Sequence, residues 1–236
     1  MIPKTIHYCW FSGEQYPSLV QRCIKSWKRH LPCFTLRLWN RNSFDWNSVP
    51  FVSEALDAGK WAFAADYIRL YALYTEGGIY LDSDVEVLAS LDEFLTNKAF
   101  MGTEPYVRDG QIYYDLECAV MGAEAHHPTL RACLDLYQSA HFDAESVQTI
   151  CHQLVPIYRE FGYQEENIMQ HLDDGTTIYP LEHYHGRYCF YHKTAIHWAQ
   201  GSWLENYVER GRLFYLCQRM GWTNAYQMIE NIARKL

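Results

Sequence analysis

Trp61-Ala62-Phe63-Ala64-Ala65-Asp66-Tyr67-Ile68-Arg69, followed a turn later by Gly77-Gly78-Ile79-Tyr80-Leu81-Asp82-Ser83-Asp84, is the stretch whose reading decides the fold. Apolar side chains ring most of residues 61–74, which predicts a largely buried helix, and Glu76-Gly77-Gly78 closes it with glycine in the C-cap region. Ile79-Tyr80-Leu81 then reads as a short interior strand with Asp82-Ser83-Asp84 at its end. Val85-Glu86-Val87 reads as a continuation of that strand, and Ser90-Leu91-Asp92-Glu93 as a capping box opening a further helix.

Upstream, residues 2–11 are rich in β-branched and aromatic side chains and stop at Ser12-Gly13, as a strand followed by a loop does. Pro17-Ser18 opens a helix on which Leu19, Cys23, Ile24 and Trp27 recur until Pro32 ends it, and residues 34–39 alternate as a second strand. This β-α-β opening predicts an α/β fold. Downstream, residues 99–103, 112–121 and 176–179 are expected as strands, 128–140 and 146–161 as helices, and the tail from Trp203 as two closing helices.

The chain has 236 residues, 49% hydrophobic and 20% charged, enough for one substantial core, so a single domain over 1–236 is expected. A net charge of −8 without long basic runs excludes nucleic acid as a natural partner. An acidic protein with an anionic substrate needs a local remedy, and a divalent cation supplies one. The eight cysteines are scattered without a C-x-x-C pair, as expected of reduced thiols. No apolar leader or long apolar run stands out, so a soluble, cytoplasmic protein is expected.

Two carboxylates one residue apart at a strand end share a face and can reach one point. A hard cation held this way keeps part of its shell for water and substrate phosphates and offsets the charge of a departing diphosphate. Alone, such a pair is also a common solvated turn; the apolar strand immediately before it places it where open α/β sheets bind ligands. Asp66 and Arg69, three apart, face the same side of the helix, either as an ion pair or as a donor and acceptor set for vicinal sugar hydroxyls.

Together these residues resemble the DXD sugar-transferase region of glycosyltransferase family 32, and Ile2-Pro3-Lys4-Thr5-Ile6-His7, Cys9-Trp10-Phe11-Ser12-Gly13, Ile196-His197-Trp198 and Gly201-Ser202-Trp203 extend the resemblance. It implies a GT-A fold, a Rossmann-like, mixed but mainly parallel sheet flanked by helices. It also implies a nucleotide-sugar donor, Mn2+ or Mg2+ at the DXD, and retention of anomeric configuration. The family is related to the large clostridial glucosylating toxins. Their pattern implies that Asp66 and Arg69 hold donor-sugar hydroxyls, Trp10 stacks on the base and Tyr80 lines the sugar pocket. By the same pattern Asp84 touches the metal directly and Asp82 partly through water and ribose. His197, beside Ser202 and Trp203, is implied as the C-terminal contribution to the metal and diphosphate site, although its spacing to Trp203 differs from the toxin pattern.

Glu104, Asp115 and Glu117 are weaker candidates for facing an acceptor, each reading first as a surface or loop carboxylate. The cluster His183-Tyr184-His185 with Tyr188, Tyr191 and His192 fits no standard ligand spacing and suits stacking on a sugar equally well. UDP-galactose or UDP-glucose is the first donor to try, with a glycan or lipid-linked saccharide of polysaccharide synthesis as acceptor. A lipid-linked acceptor implies peripheral contact with the inner face of the membrane. The rival readings are a metal-dependent phosphohydrolase and a non-catalytic module binding sugar nucleotides or glycans.

Overall fold

The computed structural model describes residues 1–108, 111–144, 148–181 and 194–198. Strand β1 (Thr5–Cys9), helix α1 (Ser18–His30) and β2 (Thr35–Trp39) form the expected opening, with β1 and β2 paired in parallel. Helices α2 (Pro50–Asp57) and α3 (Trp61–Glu76) lead to β3 (Gly78–Leu81), which pairs in parallel with the other edge of β1. Then follow β4 (Val85–Val87), the hairpin of β5 (Ala99–Arg108) and β6 (Gln111–Ala123), α4 (Pro128–Asp135), α5 (Ile150–Glu160), β7 (Gln170–His171), β8 (Thr176–Tyr179) and β9 (Ala195–His197).

The main sheet has the order β2-β1-β3-β6-β5-β8-β7. Its pairings leave all strands but β6 and β7 running one way, the mixed, mainly parallel sheet expected. Because β2 and β3 flank β1 on opposite sides, the chain reverses its direction of winding between β1 and β3, and sheets of this kind bind ligands at the carboxyl ends of such a pair. Trp10 and Asp82 leave the sheet there.

Alternation along the strands divides the core in two. Ile6, Tyr8, Ile79 and Leu81 pack with Leu19, Cys23 and Trp27 of α1 and with Val85, Val87, Ile196 and Trp198. Cys9, Tyr80, Cys118 and Met121 face the opposite layer, built from α2, α3, α4 and α5. Among the described residues no helix is long and apolar enough to cross a membrane.

Several expected elements differ. Val85–Val87 does not prolong β3: it turns out of the main sheet and pairs antiparallel with Ala195–His197 in a separate two-stranded sheet. Asp82 C=O accepts the Val85 N–H at 3.0 Å, closing the turn that redirects the chain. Ser90 accepts the N–H of Asp92, not of the residue three along, and only a short 3-10 helix, Asp92–Thr96, follows. Helix α4 stops at Asp135, and the β5–β6 hairpin is longer than its apolar cores. Helix α2 was not expected, although Pro50 in its first turn and the buried Phe51, Val52, Ala55 and Leu56 mark it. The expected tail helices lie outside the described residues.

The junction of α3 and β3 requires glycine. Gly77 and Gly78 have φ of 65° and 122°, and a Cβ on Gly78 would lie 2.7 Å from Thr5 O and 3.0 Å from His7 Nε2. Trp39 Nε1–H donates to His7 Nδ1 at 3.1 Å, so His7 carries its proton on Nε2 and donates to Gly77 O at 2.8 Å. Burial holds the pKa of this imidazole below its usual value. Gly78→Ala combines an unfavourable φ with a backbone clash and should lower the unfolding free energy by about 2 kcal/mol or more. Urea denaturation checks this, and an unaltered midpoint would contradict the account of the junction.

Candidate functional site

The site grows from the end of β3, where the two core layers meet. Tyr80 points toward α3, its ring buried and its hydroxyl donating to Asp82 Oδ1 at 3.0 Å. The same carboxylate lies 3.4 Å from Arg69 Nη2, which is itself 2.8 Å from Asp66 Oδ1. Arg69 Nη1 donates to Cys118 O on β6 at 2.6 Å, and the guanidinium stacks over the Tyr80 ring at 4.8 Å. Asp66 and Arg69 are 8% and 5% exposed, so the ion pair anticipated from their spacing is a buried one. One guanidinium therefore ties α3, β3 and β6 together under the acidic turn.

Asp84 looks the other way. The small sheet sets Val85 opposite His197, and Trp198 N–H donates to Asp84 O at 3.1 Å. His197 Nε2 thus comes within 3.6 Å of Asp84 Oδ1. Asp82, Asp84 and His197 each present one ligand atom within 4.8 Å of the others. Two carboxylate oxygens and one imidazole nitrogen suit a small divalent cation.

Glu117 and Asp115 are buried residues of β6, at 1% and 3% exposure, and the expectation of surface carboxylates is wrong for both. The register between β5 and β6 jumps from Phe100 opposite Gly122 to Gly102 opposite Glu117. Irregularities of this sort re-aim side chains beside sites. Here Glu117 accepts the N–H groups of Ala119 and Val120 at 3.0 and 3.1 Å and stands 3.3 Å from His197 Nδ1. Asp115 pairs with His152. Acidic residues at alternate positions in an otherwise β-forming run were the available signal; their partners, 80 and 37 residues later, were not visible.

Burial raises the Asp66 carboxyl to about 7, with Arg69 opposing the rise and Asp82 adding to it. Asp82 is also raised, chiefly by burial, while Arg69 and His197 pull it back. Burial opposes charge on His197, but Asp84, Glu117 and Asp82 outweigh it and lift the imidazole to about 9. Carboxylates dominate the site.

Trp10 is half-buried at the carboxyl end of β1, its indole N–H donating to Glu14 O at 2.9 Å and its ring edge-on to Tyr16. Both line a cleft of about 560 Å³ with Ser12, Gly13, Asn40 and Asn42. Glu104, half-buried on β5, is paired across the hairpin with Asp115. Ser202, Trp203 and the 183–192 cluster lie outside the described residues. Arg69→Met leaves two carboxylates without their guanidinium and should lower stability by about 3 kcal/mol, measured by chemical denaturation. Loss of less than about 1 kcal/mol would show that the carboxylates do not depend on it.

Comparison with known proteins agrees with this geometry. The family described as glycosyltransferase sugar-binding region containing DXD motif matches residues 17–101. An uncharacterized glycosyltransferase of Acanthamoeba polyphaga mimivirus is 30% identical over 134 residues, 54% of this chain and 52% of the relative. An uncharacterized protein of Arabidopsis thaliana is 35% identical over 100 residues, 42% of this chain but 13% of that protein. The chain thus spans about half or less of these relatives. The solved structure of PaToxG glycosyltransferase shares the fold, with a TM-score of 0.51 at 17% identity over 67% of this chain and 70% of that one. Residues 17–101, from the first crossover helix through the acidic turn into β5, match the glycosyltransferase sugar-binding region containing DXD motif, and the chain shares the fold of a solved glycosyltransferase.

Proposed function

We propose that this protein transfers a hexose from a nucleoside-diphosphate sugar, UDP-galactose or UDP-glucose, to a glycan or lipid-linked saccharide hydroxyl. The observation that carries the reading is the convergence of Asp82 and Asp84, both within the matched family region, with His197 at the carboxyl end of β3. The imidazole in the donor set favours Mn2+ over Mg2+. When bound, the cation supplies charge neutralisation for the leaving diphosphate.

The protein's own groups do the positioning. Asp66 is held on one oxygen by Arg69, leaving the other for a sugar hydroxyl. Arg69 sets the charge and orientation of Asp66 and Asp82, and Tyr80 fixes the Asp82 rotamer through its hydroxyl. Trp10 offers a ring face at its cleft for the base, with Asn40 and Asn42 as hydrogen-bonding groups nearby. Ser202 and Trp203 contact the diphosphate in this reading. Attack from the same face as departure, with a diphosphate oxygen taking the acceptor proton, gives retention; resemblance to family 32 supports this step. An acceptor on a lipid carrier would bring the protein to the inner face of the membrane.

The test is nucleotide release from a panel of UDP-sugars with Mn2+, with and without saccharide acceptors. Asp84→Ala should lower the acceptor-dependent rate by about 100-fold or more, and EDTA should abolish it. Release equally fast without any acceptor would support a phosphohydrolase, and donor binding without release a binding module. Transfer that survives Asp84→Ala would sink the proposal.

A further inference from the structure

Glu117 is almost fully enclosed, yet its carboxylate faces His197, the one imidazole of the acidic site among the described residues. Both oxygens are anchored: Oε1 by Ala119 N–H and Oε2 by Val120 N–H. The carboxylate therefore cannot swing freely, and Oε1 stays 3.3 Å from His197 Nδ1. The backbone of His197 is fixed independently, through its register with Val85 and the bond from Trp198 N–H to Asp84 O. With the backbone held on one side and Nδ1 on the other, the opposite ring nitrogen, Nε2, is directed at Asp84.

We propose that Glu117 is a positioning residue, which keeps the His197 proton on Nδ1 and turns the Nε2 lone pair toward a divalent cation shared with Asp82 and Asp84. The proposal rests on the metal-site reading above and adds to it an outer carboxylate that selects the tautomer and orientation of the histidine. A neutral imidazole has a single N–H; a fixed acceptor at Nδ1 claims it and frees Nε2 to ligate. Glutamine cannot reproduce this. With its oxygen at the Oε1 place, its NH2 opposes Val120 N–H; with the amide reversed, its NH2 opposes Ala119 N–H and presents a donor to Nδ1. Either arrangement loses an anchor, and the second favours the wrong tautomer.

The alternative is that Glu117 only satisfies two backbone N–H groups at the irregularity in β6. Titration of the full chain with Mn2+ alone, following the electron paramagnetic resonance signal of free aquo-Mn2+, separates the two roles. Glu117→Gln should weaken Mn2+ binding by about 10- to 100-fold. In a His197→Gln background the same change should have no further effect, whereas a purely structural role would weaken binding equally with or without the histidine and overturn the proposal. Asp84→Ala serves as the control: if it leaves Mn2+ affinity unchanged, the metal-site reading itself fails. If Asp84→Ala weakens binding and Glu117→Gln does not, the positioning role alone fails. Should Glu117→Gln not fold, 15N spectra of histidine-labelled wild-type protein without metal, recorded at a pH where the ring is neutral, decide, assigned by His197→Gln. Protonation at Nδ1 is expected, and protonation at Nε2 overturns the proposal.

Discussion

The buried guanidinium of Arg69 is the interaction on which the acidic turn depends. Carboxylates withdrawn from water are costly unless a countercharge and hydrogen bonds accompany them. Arg69 reaches Asp66, Asp82 and the Cys118 carbonyl at once and sits over the Tyr80 ring. Its planar fork makes this possible; a lysine, a point charge on a flexible stem, would not hold three elements in a fixed relation. The spacing of three between Asp66 and Arg69 on α3 and the tight Gly77-Gly78 junction both serve to bring that helix face over the end of β3.

With Asp82 committed to Arg69, Asp84 faces the other layer, where the small β4–β9 sheet brings His197 to meet it. Asp66, Asp82, Asp84 and Glu117 gather around two basic groups, Arg69 and His197. The excess of acid, in a chain of net charge −8, makes the position hospitable to a dication and hostile to a bare diphosphate. A nucleotide sugar arriving with its cation, as proposed, would relieve both conditions. The location at the reversal between β1 and β3 then puts the Trp10 cleft on the same edge of the sheet, so base and diphosphate can be served by adjacent strand ends.

Much of this was readable from sequence because it is local. Helical spacing gave α1, apolar side chains around most of the circumference gave α3, β-branched and aromatic composition gave β1, alternation gave β2, and the apolar run before Asp82-Ser83-Asp84 located the acidic turn at a strand end. What escaped depends on partners far along the chain. Three residues, Val85 to Val87, carry no mark of which sheet they join, and Ala195–His197 pairs with them from more than a hundred residues away. Glu117 and Asp115 carry the same residue type a surface strand would, and only the interrupted β5 ladder explains their burial. Asp66 and Arg69 stood between two readings, and the fold realises the ion pair without removing the chemistry that sugar recognition needs.

The most direct test of the account is a crystal structure with Mn2+ and UDP, using anomalous scattering at the manganese edge. The account predicts a single strong peak in bonding contact with Asp84 and His197 Nε2, beside Asp82 and against the UDP diphosphate, with the base at Trp10. A peak away from these side chains, or UDP bound elsewhere than the carboxyl ends of β1 and β3, would contradict it.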